Sequence, residues 1–311
     1  SDIIGVKKFE VADVENLEKF KGGFDIVLCH NVLYHAEDKN IAIENLKSCL
    51  NDEENSFCSI TTNSEKHMLN VYDEPLQPCR EGNGNLSKSG SWDNDGRREI
   101  YNKAYLDKDR YMELYNYCNE KNLTCFASIF DDDGYKILKS VSKKFIKIPS
   151  VEAYDIKLIK RSLNDFENVI VSTGALKKNE LDNLIKLKNY KNLTLLHCVS
   201  SYPLNYENIN FEKFHYIKKQ FSNVGYSGHA EGIEDAIYAL AHGATVVEKH
   251  FTIDNSLEGR DNKFAILPSQ LKIICEFEKK IKIMNKTNEE NYCLQNIEED
   301  VYNNYRGRWK N

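Results

Sequence analysis

Proline and glycine are scarce in this sequence, with 5 prolines and 15 glycines among 311 residues. Flexible linkers are rich in such residues, so we expect most of the chain to be folded. The exception is Asp73–Gly96, where two of the prolines and several glycines stand among many Asn and Ser residues. That composition predicts a loop.

Sequence features of several other protein classes are also missing. The nine cysteines form no Cys-x-x-Cys pair, and several lie inside apolar runs, as small buried hydrophobes do in a reducing compartment. No apolar run approaches the length of a membrane span, and no signal-peptide layout is recognisable. The net charge of -6 argues against binding to a nucleic-acid backbone. We therefore expect a cytoplasmic protein with no membrane or nucleic-acid partner.

The sequence does contain a series of short apolar runs that end in polar residues. They centre on residues 126, 147, 171, 196, 225 and 247, and helix-like stretches precede or separate them at 109–121, 156–165, 178–188, 207–221 and 233–242. Such runs are typical of buried parallel strands, and their alternation with helices predicts an α/β fold. Polar groups at the strand ends suit a (β/α)8 TIM barrel, of which six units are clear.

Two histidines stand at the ends of neighbouring predicted strands. His229 and His250 have a helix-like stretch between them, so both imidazoles should project from the same edge of the sheet. Neutral imidazole nitrogens are good ligands for a divalent metal such as manganese or zinc. The spacing alone favours two hydrogen-bonded histidines without a metal.

Several motifs in this region follow one another in a fixed order. They are Lys147–Ser150, Ser172–Gly174, His197–Pro203, Gly225–His229, Glu248–Phe251 and Gly259–Asp261. In this order they resemble the sialic acid synthases of the NeuB type, and the resemblance extends from about residue 95 to 290. It implies a TIM barrel that condenses phosphoenolpyruvate with an N-acetylated amino sugar, such as N-acetylmannosamine, to give a nonulosonic acid.

The same resemblance implies roles for individual residues. His229 and His250 would bind Mn²⁺ or Mg²⁺, with no organic cofactor, and Lys147 and Glu152 would be catalytic. The substrate-binding residues would be Ser150, Ser172, Tyr202, Ser227 and Asp261. Turn caps for the serines, and surface polar residues for Glu152, Tyr202 and Asp261, are the competing interpretations. His197 is interpreted as a buried core residue, and a homodimer is left open.

The first 75 residues carry a different resemblance. Val11–Asp13 and then Phe24–His35 resemble the second half of a class I S-adenosylmethionine-dependent methyltransferase, in which Asp13 would lie near the adenine. The glycine-rich loop that holds the cofactor in that family is not recognisable. The resemblance implies a Rossmann-like β-α-β fragment, with strands at 24–29 and 56–62 around a helix at 39–50.

These observations divide the chain into four predicted segments. They are a methyltransferase-like fragment (1–75), a linker or loop (76–105), a synthase-like TIM-barrel domain (106–290) that ends in an amphipathic helix, and a polar tail (291–311). The barrel is predicted to be incomplete or rebuilt. In one hypothesis the two N-terminal strands replace the family's opening strands and close the barrel, since six strands leave two open edges. In the alternative they form a separate small lobe.

The sequence also departs from the family pattern. Gly, Asn, Asp and His of the family are replaced by Val151, Ser200, Gly228 and Asn262. The opening strands that carry a Glu and a Lys, and the closing domain that lends an Arg, are not recognisable.

Because general acid–base catalysis contributes about 10²–10⁴-fold, and a lost cation removes a similar amount, we expect turnover roughly 10⁴-fold below that of the family. Glu152, Glu37 or Asp38 could replace the missing Glu. Two alternative functions stay open: a non-catalytic fusion relic, and a methyltransferase remnant that binds S-adenosylmethionine.

Overall fold

The structure, a computed structural model, describes residues 26–30, 57–61, 108–120, 124–130, 132–252, 254–256, 261–285, 293–307 and 309. Eight parallel strands are described in these ranges. They are β1 (Ile26–His30), β2 (Phe57–Thr61), β3 (Thr124–Phe126), β4 (Phe145–Ile148), β5 (Asn168–Ser172), β6 (Leu193–Cys198), β7 (Val224–Gly228) and β8 (Val247–Lys249). The predicted strands are therefore confirmed, with shorter bounds.

The same ranges contain eight α-helices. They are α1 (Lys108–Glu120), α2 (Asp132–Val141), α3 (Ile156–Asp165), α4 (Lys178–Ile185), α5 (Phe211–Lys218), α6 (Glu234–Ala241), α7 (Pro268–Met284) and α8 (Glu299–Asn304). Helix α2 was not predicted, because the run of three Asp and a Gly at 131–134 resembles a turn. Tyr135 and Leu138 lie one helical turn apart on α2 and are both buried, which is the spacing of an amphipathic helix. The predicted polar tail contains α8.

The strands form two parallel sheets in chain order, β1-β2-β3 and β4-β5-β6-β7-β8. A parallel bridge between Ser128 and Lys147 follows directly after β3 and links the two sheets. At this bridge the backbone N of Ile129 donates to the carbonyl oxygen of Lys147 at 3.1 Å. The predicted α/β fold with parallel strands is confirmed.

The N-terminal strands lie beside the synthase-like part of the chain. Backbone pairing between β2 and β3 runs from Phe57 opposite Thr124 to Ser59 opposite Phe126. Cα atoms of β1 and β8 approach within 8 Å, but no ladder joins these two strands in the described ranges. The pairing of β2 with β3 agrees with the closed-barrel hypothesis. Closure of the barrel between β1 and β8 stays a prediction. Asp13, Glu37, Asp38, the helix at 39–50 and the loop at 73–96 lie outside the described residues.

Burial of the sheet explains why polar strand ends are conspicuous. Leu193, Leu195 and Leu196 of β6 are fully buried, and the covering helix α3 buries Ile159. Helix α3 begins after Asp155, whose Oδ1 accepts hydrogen bonds from the backbone N of Lys157 and Leu158, as an N-cap does.

No helix in the described part of the chain is long and apolar enough to cross a membrane.

Candidate functional site

Four polar side chains from four strands contact one another inside the five-stranded sheet. Lys147 Nζ, on β4, donates to Ser172 Oγ of β5 at 2.8 Å and lies 3.3 Å from Glu248 Oε2 of β8. Ser227 Oγ, on β7, donates to Glu248 Oε1 at 2.6 Å. Lys147, Ser172 and Ser227 are buried, and Glu248 is 24% exposed. The structure therefore brings together three of the predicted residues and one that was not predicted.

Glu248 is held as a carboxylate at this place. Burial raises its pKa, but the charge of Lys147, the Ser227 hydroxyl and the nearby His229 outweigh burial, so the pKa lies below its usual range. Glu248 stands within one of the ordered motifs, but no role was predicted for it. The signal that could have found it is the two-residue period of a strand, which places Glu248 on the same face as His250.

Ser150 occupies a neighbouring position with other partners. Its Oγ accepts a hydrogen bond from the backbone N of Gly174 at 3.0 Å and donates to Cys198 Sγ at 3.6 Å. A Cβ atom on residue 174 would stand 2.3 Å from Ser200 Oγ and 2.7 Å from Ser150 Oγ. Glycine is therefore required at 174 for the β5 end to lie against these two serines.

The two predicted metal ligands lie side by side. The ring centroids of His229 and His250 are 5.4 Å apart, and the Tyr202 ring lies 4.1 Å from the first and 5.9 Å from the second. His229 Nδ1 is 2.9 Å from the carbonyl oxygen of Val199. Because a carbonyl only accepts, Nδ1 carries the proton, and in the neutral ring Nε2 has the free lone pair.

These residues fit a divalent cation that takes two protein ligands. A backbone acceptor that fixes the tautomer is common for metal-binding histidines, and imidazole nitrogen suits manganese and zinc. The described residues contain no group of three or more His, Cys, Asp or Glu side chains arranged for a metal ion. The remaining ligands would be water or substrate, so metal binding stays a prediction.

Cys198 interacts with the first of these histidines. Burial lowers the pKa of His229, but a hydrogen bond with Cys198 and the charge of its thiolate outweigh burial, so the pKa is raised. Burial raises the pKa of the Cys198 thiol, but the hydrogen bond and the charge of His229, together with Ser150 and Lys147, outweigh burial, so that pKa is lowered. A cation bound at the His229 ring would compete with the proton of the hydrogen bond between His229 and Cys198.

The remaining predicted site residues, two for substrate binding and one for catalysis, lie in two different places. Tyr202 covers the imidazole pair with 40% of its surface exposed, and Asp261 Oδ2 lies 3.7 Å from His250 Nδ1. Glu152 is buried and lines a separate cavity of about 220 Å³, together with Ile129 and Arg161. The structure thus brings Tyr202 and Asp261 to the imidazole pair, whereas Glu152 faces another cavity.

His197 lies below these groups in the core. It is fully buried, its Nε2 lies 2.8 Å from the carbonyl oxygen of Ile209, and Phe211, Phe214 and Tyr226 surround the ring. The interpretation of His197 as a core residue is confirmed.

Parallel strands with charged and hydroxyl side chains at their carboxyl ends define an α/β protein whose site lies at that edge of the sheet. The chain belongs to the NeuB family, whose model matches residues 76–290. That match does not include the methyltransferase-like segment, whose resemblance stays a prediction.

Individual relatives agree with this family. The N,N'-diacetyllegionaminic acid synthase of Campylobacter jejuni is 32% identical over 58% of this chain and 56% of its own length. The N-acetylneuraminate-9-phosphate synthase of Drosophila melanogaster is 32% identical over 55% of this chain and 48% of its own length. The chain thus spans about half the length of these curated relatives.

A solved structure shows the same fold. The crystal structure of N-acetylneuraminic acid synthetase from Leptospira borgpetersenii, in complex with citrate, has a TM-score of 0.69 to this chain at 23% identity. The likeness covers 92% of this chain and 94% of that one. At this identity the likeness establishes the fold alone.

Proposed function

We propose that this chain condenses phosphoenolpyruvate with an N-acetylated amino sugar to form a nonulosonic acid. The observation that carries the proposal is the contact of Lys147, Ser172, Ser227 and Glu248 next to the His229–His250 pair. An ammonium group and hydroxyls gathered from several strand ends can hold phosphate and carboxylate groups. A pair of imidazoles beside them can hold the cation that such a condensation uses.

The residues of the chain have separable tasks in this proposal. Lys147, with Ser172 and Ser227, holds phosphoenolpyruvate, and Ser150 lies close enough to the same strand ends to contribute. Glu248 orients Lys147 and Ser227 through its two oxygens. A divalent cation, when bound at the imidazoles, supplies Lewis-acid polarisation of the sugar carbonyl. Tyr202 and Asp261 contact the sugar, and fixing both substrates makes the reaction effectively unimolecular.

The acceptor is proposed only as a class. The names of the relatives refer to N,N'-diacetyllegionaminic acid, N-acetylneuraminate 9-phosphate and pseudaminic acid, so the family includes several products. The catalytic role of Glu152, which lines a separate cavity, stays a prediction. A homodimer and a cytoplasmic location stay predictions.

The test is phosphate release from phosphoenolpyruvate with N-acetylmannosamine or related N-acetylated hexoses, in the presence of Mn²⁺. We expect slow, metal-dependent release that is abolished by His250→Ala and by Lys147→Met. Lys188→Met is the matched control, since Lys188 is exposed, and it should leave the rate unchanged. Absence of release with every sugar, together with no Mn²⁺ binding, would favour the non-catalytic relic. A titration with S-adenosylmethionine tests the methyltransferase alternative.

A further inference from the structure

An ion pair is buried directly behind the two imidazoles. Lys249 Nζ lies 3.1 Å from both carboxylate oxygens of Asp235, and the two side chains are only 4% and 0% exposed. Replacing a buried ion pair by apolar residues is often neutral or stabilising. Its stability contribution alone therefore does not account for a pair at this place.

The pair joins three elements of the fold. Asp235, in the first turn of α6, accepts a hydrogen bond from Tyr226 OH of β7 at 3.0 Å and from the backbone N of Ala236 at 2.8 Å. Lys249, at the end of β8, donates to the carbonyl oxygen of Ala230 at 2.7 Å. The ends of β7 and β8 are thus tied to each other and to the start of α6.

Both tied positions are adjacent to an imidazole. Ala230 directly follows His229, and Lys249 directly precedes His250. From the opposite side, the backbone N of Leu204 donates to the carbonyl oxygen of His229 at 3.0 Å, and Val199 holds its Nδ1. The ion pair therefore supplies the contacts that fix the imidazole-bearing backbone from the helix side.

Gly228 makes room for this arrangement. A Cβ atom on residue 228 would stand 2.4 Å from Asp235 Oδ2 and 2.6 Å from Tyr226 Cε1. The carboxylate of Asp235 occupies the space that a side chain at 228 would need. A carboxylate placed on residue 228 itself would consequently reach the same lysine from the strand instead of from the helix.

We propose that Asp235 and Lys249 are positioning residues that fix the imidazoles of His229 and His250 relative to each other, and that Gly228 leaves the space for Asp235. The proposal rests on the proposed function only in taking the imidazole pair as the cation site. Neither positioning residue contacts substrate or cation.

The first experiment removes both charges together, with Lys249→Met and Asp235→Leu, since a double replacement leaves no uncompensated buried charge. Carbon-13-edited NMR of the metal-free protein reads the histidine rings, which are assigned with single His→Gln variants. We expect the resonances of His229 and His250 to shift while that of His215, on α5, stays in place. The Mn²⁺ affinity should fall about 10- to 100-fold, as for supporting contacts of metal-binding histidines.

The matched control is Lys272→Met with Glu276→Leu, a solvent-exposed pair on α7. It should leave both the imidazole resonances and the Mn²⁺ affinity as in the wild type. A folded Lys249→Met/Asp235→Leu protein with unchanged imidazole resonances overturns the proposal. If the wild type binds no Mn²⁺, the cation in the proposed function is wrong, and the metal-free spectra still decide on positioning.

A rescue experiment separates positioning from simple packing. Asp235→Ala combined with Gly228→Asp returns a carboxylate to Lys249 from β7, and it should bring the His229 and His250 resonances back toward the wild-type positions. Asp235→Ala with Gly228→Ala introduces the same Cβ without a charge and should not. Equal spectra for these two double variants would show that the carboxylate has no positioning role.

Discussion

Lys147 lies between two acceptors of different charge. Its Nζ donates to the neutral hydroxyl of Ser172 and pairs with the carboxylate of Glu248. In the absence of substrate, Glu248 balances the ammonium charge inside the sheet. An anionic substrate bound as proposed would share the lysine with Glu248, and the serines would supply additional hydrogen bonds.

This balance predicts a non-additive pair of substitutions. Lys147→Met should lower the free energy of unfolding by about 1–3 kcal/mol, because it leaves the partly buried carboxylate of Glu248 without its cation. Adding Glu248→Gln should restore part of that loss, since no uncompensated charge remains. Urea denaturation of the single and double variants measures the coupling. Strictly additive effects would contradict the role given to Glu248.

His197 predicts how stability depends on pH. Burial lowers its pKa from 6.5 to about 4. Between these values the unfolded chain binds a proton that the folded core excludes, so stability is lost as the pH falls from about 6.5 to about 4, by about 3 kcal/mol. Urea denaturation at several pH values checks this. In His197→Leu this part of the pH dependence should disappear, and an unchanged slope would refute the assignment.

At the scale of elements, the strands were predictable and their contacts were not. Strands β4 to β8 were found because buried parallel strands are apolar along their length and polar at their ends. The partnership of Ser227 with Glu248 depends on the register that places these two residues opposite each other, and a single sequence does not encode register visibly. Glu152 was grouped with Lys147 because it follows the same strand, but it lies in a short 3-10 helix, Ser150–Glu152, and lines a cavity with Ile129 and Arg161.

The end of β5 offers a test at this scale. Gly174→Ala should destabilise the fold by about 1–3 kcal/mol, because the added Cβ meets Ser200 Oγ and Ser150 Oγ at less than van der Waals distance. Adding Ser200→Ala removes the closer of these two atoms and should recover part of the loss. Thermal unfolding monitored by circular dichroism measures both variants. An unchanged unfolding temperature of Gly174→Ala would show that Ser150 and Ser200 can move away from the added Cβ atom.

At the scale of the whole molecule, the pairing of β2 with β3 connects the N-terminal segment to the synthase-like part. Ser59→Pro removes a backbone donor from β2, a change that a central strand tolerates poorly. If β2 supports β3, hydrogen exchange of the Ile129 amide, which donates to Lys147, should become at least several-fold faster. An exchange rate equal to that of the wild type would favour the separate lobe. The control is Lys188→Ala, a substitution at an exposed position, which should leave the exchange rate of the Ile129 amide unchanged.

The Lys147–Glu248 pair has a geometric consequence for the five-stranded sheet. β4 and β8 are its first and last strands, and in a flat sheet four spacings of about 4.8 Å would set them about 19 Å apart. The 3.3 Å between Nζ and Oε2 requires the sheet to bend into an arc, with the ion pair lying as a chord across its concave side. Any substitution that flattens the arc must break this ion pair, so the distance between Lys147 and Glu248 also reports the curvature of the sheet.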